Sequence, residues 1–152
     1  MIQPARALLL ALTVVLCGAA VSANAADRLP EPAPVSAEVG TIRDAVSQGD
    51  LDRAVELGEA LVERTPDDST AWLWLGRAYG QQALEASILR KAGYASSCRE
   101  AFEKAVELDP ANASAQWDLM QFYLNAPGFM GGGRDKADAQ REALRAIHPV
   151  WG

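Results

Sequence analysis

Few side chains in this sequence could make or break bonds, and their spacing argues against most of that chemistry. Residues 125–137, NAPGFMGGGRDKA, set four glycines ahead of Arg134 and Lys136, a composition that suits a phosphate cradle. Such a loop needs G-x4-G-K-[ST] after a strand, so that backbone N–H groups converge and a hydroxyl reaches magnesium. Here Lys136 lies between Asp135 and Ala137, and the preceding DLMQFYL has a helical pattern. The dinucleotide fingerprint fails for the same want of a strand. The ligand reading that survives is a weak anion site at a helix N-terminus, built from Gly131, Gly132, Gly133, Arg134 and Lys136. The preferred reading is a turn. Pro127 and Gly128 stop one helix, Gly131 to Gly133 supply left-handed backbone, and Asp135 caps the next helix. Phe129 and Met130 are expected to fold back onto the core.

The other reactive residues are isolated. His148 is the only histidine and precedes Pro149 at a helix end, where a cation suits the negative end of the dipole. Beyond Cys17 the only cysteine is Cys98, so zinc and iron lack ligands and no cofactor is expected. Glu100, Glu103 and Glu107 recur at helical spacing beside Arg99 and Lys104, which describes a solvated charged face. No pairing of nucleophile and base is present, and the chain reads as a non-enzyme.

The elements that position these residues begin after an N-terminal leader. Arg6 precedes an apolar run starting at Ala7, and Ala23-Asn24-Ala25 forms a small-residue cleavage site, the layout of a secretory signal peptide over 1–25. The run is about ten residues, against roughly 20 needed to span a bilayer. Cleavage near Ala25/Ala26 would deliver the protein to the periplasm or outside the cell. It removes Arg6 and no acid, so the net charge of −6 becomes −7. That sign argues against nucleic acid and against strong binding to anionic lipid. Residues 26–35 carry alternate prolines, Pro30, Pro32 and Pro34, and read as an extended spacer.

From 36 to 149 the sequence repeats itself. PDDSTAWLWLGRAY from Pro66 aligns without a gap on PANASAQWDLMQFY from Pro110, superposing Ala71 on Ala115, Leu75 on Leu119 and Tyr79 on Tyr123. Before Pro66, Pro110 and Pro149 runs an amphipathic segment of about fifteen residues, the length of four helical turns. Each unit is therefore helix, turn, helix, proline, with Asp67, Asp68 and Ser69, or Asn112 and Ser114, available to cap the following helix. Gly76, Ala105 and Ala137 would let helices approach; Leu75, Tyr79 and Phe102 would fill between them.

These residues resemble the tetratricopeptide repeat, whose W-x2-L-G-x2-Y…A-x3-F-x2-A-x4-P pattern is met by Trp72, Leu75, Gly76, Tyr79, Cys98 in the alanine place, Phe102, Ala105 and Pro110. The resemblance implies an all-α fold: antiparallel helix pairs stacked as a short, right-handed solenoid with units 36–66, 67–110 and 111–149. The prolines lie 44 and 39 residues apart rather than 34. The first surplus falls in GQQALEASILRKAGYAS, which keeps a helical pattern, so both helices of the middle unit should lengthen. The second falls in the glycine loop. The first helix of the first unit, about 36–47, is degenerate.

In this family the first helix of each unit lines a concave groove. Mapped here, that groove shows Leu73, Trp74, Arg77 and Gln81, then Trp117, Asp118, Gln121 and Asn125. Trp72 takes the packing position, so Trp74, two residues on, is turned by about 200°. It either anchors a partner or packs on the irregular first unit. The expected function is a protein–protein interaction module of the cell envelope holding a peptide or helix. The alternative is a small-ligand or anion-binding protein using loop 127–136. With no polar helix after HPVWG, Trp151, a second copy of the chain or a partner is left to cover the last apolar face.

Overall fold

The three prolines act alike on the backbone. A computed structural model describes residues 36–149; the expected signal peptide, the proline spacer and Trp151 lie outside the described residues. Proline pushes its predecessor out of the helical region and cannot donate a backbone hydrogen bond. Accordingly Thr65, Asp109 and His148, each just before a proline, are C-cap residues with φ between −128° and −146° and ψ between 63° and 92°. The helices they close are α2 (Leu51–Arg64), α4 (Ile88–Leu108) and α6 (Arg134–Ile147). Their partners are α1 (Ala37–Gln48), α3 (Ser69–Glu85) and α5 (Ala113–Asn125), and Gly128–Met130 forms a short 3-10 turn. No strand occurs among the described residues.

Capping follows the side chains expected for it. Asp68 accepts from the backbone N–H of Thr70 and Ala71, and Asn112 from that of Ala115. Ser69, one of the candidate caps, is instead buried and crosses to the neighbouring helix. Its hydroxyl donates to the Ala105 carbonyl at 2.8 Å and accepts from Asn112 Nδ2 at 2.9 Å. Asp135 does not cap α6 either; it lies in the first turn, after an N-cap at Gly133.

The 44-residue offset recurs in hydrogen bonds. Tyr79 donates to Glu59 and Tyr123 donates to Glu103, each pinning a first helix to the helix before it. Trp72 Nε1 donates to the Pro66 carbonyl, and Gln116 Nε2 makes the same bond to Pro110. The alanine place is small and buried three times over, as Ala54, Cys98 and Ala137. Gly76 faces the Phe102 ring so closely that a Cβ there would lie 2.5 Å from Cδ1.

Curvature comes from which rows touch. The first helices α1, α3 and α5 pack in sequence, α1 on α3 and α3 on α5, whereas α2 and α4 both pack on α3 but not on each other. A stack whose one row touches and whose other row is splayed is concave on the touching side. The middle unit carries the surplus length, with 17 residues in α3 and 21 in α4 against 12 to 14 in the other helices. The tip of that long hairpin leaves Leu84, Ile88 and Leu89 in solvent. The fold is an all-helical solenoid of the tetratricopeptide type.

Candidate functional site

The concave face is built by α3 and α5. Along α3, Trp74, Arg77, Gln81 and Leu84 fall at steps of three and four, so they share one stripe. Asp118, Gln121, Phe122 and Asn125 form the matching stripe on α5. Between them lies an open groove of about 540 Å³, with Val46 of α1 on its flank and Cys98 and Phe102 reaching it from α4.

Its polar centre joins the two helices. Arg77 Nε donates to Asp118 Oδ2 at 2.6 Å, and both side chains are largely buried, at 28% and 19% exposure. The Arg77 guanidinium also lies 4.6 Å from the centroid of the Trp74 ring. Burial holds the Asp118 carboxyl above the usual carboxylate pKa, and Arg77 offsets part of that rise by charge and hydrogen bonding. Nearby, Asn125 Nδ2 donates to the Gln121 carbonyl at 2.8 Å. Cys98 is buried and its thiol is pushed up to about 12 by desolvation, with the Asp118 charge adding to it. A thiol in that state keeps its proton at neutral pH, which makes it a weak nucleophile.

Six of the eight expected groove residues meet here: Trp74, Arg77, Gln81, Asp118, Gln121 and Asn125. Leu73 does not. It is fully buried among Phe102, Leu119 and Tyr123, because one residue along a helix turns the side chain by about 100° into the core shared by α3, α4 and α5. Trp117, one residue before Asp118, likewise packs half-buried against that core and away from the groove. Trp74 packs on the first unit, against the cluster containing Val39 and Ile42 of α1, and also lines the groove. Its indole N–H is buried with no acceptor among the described residues. Val46, Leu84 and Phe122 were not foreseen. The spacing of Leu84 and Phe122 from Arg77 and Asp118 was a usable signal, whereas Val46 sits on the helix whose pattern is degenerate.

The glycine loop spends its donors on itself. The N–H groups of Met130, Gly131, Gly132 and Gly133 donate to the carbonyls of Pro127, Gly128, Pro127 and Tyr123, so they do not converge on open space. Only Gly131 is left-handed, at φ 93°; Gly133 is extended. Gly132 is required for another reason, since a Cβ there would lie 1.8 Å from the Ala126 carbonyl oxygen. Lys136 Nζ donates to the Gly131 carbonyl at 3.1 Å and sits 5.3 Å from the Tyr123 ring centroid, while Arg134 is exposed. Phe129 does not fold onto the core: it is 83% exposed. Among the described residues no group of three or more His, Cys, Asp or Glu could hold a metal, and no helix is long and apolar enough to cross a membrane.

The described residues form a helical-repeat array with an open groove, and its likeness to known proteins is to one class of repeat. Residues 40–92 match the family model of the tetratricopeptide repeat. That stretch ends inside α4, before Cys98, Phe102 and Ala105. Among solved structures, the chain is similar to a thermophilic TPR protein in Thermus thermophilus, at TM-score 0.65 and 25% identity. The similarity covers 78% of this chain and 59% of that one, so the chain spans about three fifths of that protein's length. No curated protein matches the sequence. Tetratricopeptide repeats as a class are protein–protein interaction modules and are typically non-catalytic.

Proposed function

We propose that the protein is a non-enzymatic scaffold whose α3–α5 groove holds a peptide segment or helix of a partner. The observation that carries this reading is the joining of an aromatic anchor to a fixed cation across two helices: Trp74 under Arg77, with Arg77 bound to Asp118. Tryptophan and arginine are the residues that most often dominate interface energy. The amides of Gln81, Gln121 and Asn125 border the same groove and can both donate to and accept from a guest's backbone. The leader over 1–25 supports placing this activity in the cell envelope.

The test is photo-crosslinking in cells from a probe amino acid at Gln121, with Arg141 on α6 as the control position. The expected result is a discrete partner captured from position 121 only. For a peptide from that partner, Trp74→Ala should weaken binding at least about tenfold, or ~1.4 kcal/mol. Gln121→Ala with Asn125→Ala, at the groove's margin, should weaken it too. Equal capture from both positions, or unchanged affinity in both variants, overturns the reading.

A further inference from the structure

The splayed row of second helices leaves a second cleft, on the side of the molecule opposite the concave groove. Because α2 and α4 both pack on α3 but not on each other, α3 floors a cleft between them. The cleft holds about 430 Å³ over Trp72, Leu75 and Tyr79. It runs on, through the shared residues Glu59, Tyr79 and Ser97, into a hollow of about 390 Å³ that reaches Tyr94 and the exposed Leu89. Its floor is therefore aromatic and aliphatic. Tyr79 and Tyr94 stand 6.4 Å apart, tilted by 33°.

The rim is acidic. Glu59 and Glu63 of α2 face Glu100 of α4 across the floor. The cations that line it lie at the ends: Lys104 is held by Glu107 at 3.1 Å, and Arg90 borders the hollow at its far end, while Arg99 pairs with Glu100 from outside the lining. Glu59 accepts from Tyr79, and Glu100 accepts from Ser96 and Arg99, whereas Glu63 has no partner among the described hydrogen bonds and ion pairs. Three carboxylates over an apolar, aromatic floor complement a segment with one apolar face flanked by cations. Its lysine or arginine stems would cover the Trp72 and Tyr79 rings while their head groups meet the glutamates.

We infer that the α2–α4 cleft docks a basic amphipathic helix of a protein partner, independently of the concave groove. The probe is a synthetic amphipathic helix of about 18 residues, long enough for five turns, with a leucine face flanked by arginines. A twin carries glutamate at each arginine. Binding to the full-length protein is read by fluorescence anisotropy. The arginine probe should bind and the glutamate twin should not, and affinity should fall as salt rises from about 50 to about 500 mM. Glu63→Lys with Glu100→Lys, both exposed and remote from the core, should weaken binding about tenfold. Gln121→Ala with Asn125→Ala, in the concave groove, should leave it unchanged. Equal binding of the glutamate twin, no effect of the lysine variant, or full displacement of the probe by spermine overturns the assignment; the last would make the cleft a small-cation site.

Discussion

Cys98 occupies the small buried position that Ala54 and Ala137 fill in the other units, and burial sets its chemistry. Its thiol is raised to about 12 in the folded state, against roughly 8.5 when unfolded. A group that loses its proton less readily when folded stabilises the fold below the unfolded pKa. That contribution is lost as pH climbs from about 8.5 towards 12, at up to ~1.4 kcal/mol per pH unit. Urea melts should show stability falling across that window, and Cys98→Ala should flatten the part below about pH 10, where the tyrosines do not yet titrate. Native Cys98 should also resist iodoacetamide at neutral pH. Cys98 could be placed from sequence because the repeat fixes its register. Leu73 could not: adjacent residues of α3 face a groove and a core, and the repeat pattern does not mark that border.

Helix contacts explain which glycines matter. Gly76 of α3 meets the buried Phe102 ring, whereas Gly40 of α1 has open space where a Cβ would go. Gly76→Ala should therefore cost about 1–3 kcal/mol by overpacking. Gly40→Ala should instead gain ~0.5–1 kcal/mol from helix propensity. Chemical denaturation of the two variants separates close approach from intrinsic preference, and equal shifts would contradict the packing described. Proline spacing foretold the lengthened α3 and α4, since an insertion of helical pattern between two fixed stops has to extend the helices it joins. The 3-10 turn at Gly128–Met130 was not foretold. Neither was the demand for glycine at 132, which arises from the Ala126 carbonyl folding back, a contact invisible in a linear sequence. The long hairpin also ends in Leu84, Ile88 and Leu89, whose exposure no local pattern announced.

Across the whole molecule, stability is graded along the stack. α3 touches α1, α2, α4 and α5 and buries seven of its residues, whereas α6 packs on α5 alone and buries Ala137 and Leu144. Native-state amide exchange should be slowest in α3 and at least about tenfold faster in α6, because a helix held by one neighbour opens without the rest. Uniform protection would show a single cooperative block instead. The same order of contacts leaves the concave groove unequal on its two sides. Towards α1 it is bordered by Val46, an aliphatic side chain; towards α5 it is bordered by Phe122 together with Asp118 and the amides of Gln121 and Asn125. A surface with unlike banks cannot greet a guest the same way when that guest is reversed. Only the α5 end offers a guest a carboxylate and amides, so a peptide of identical composition with its order inverted should bind the groove more weakly.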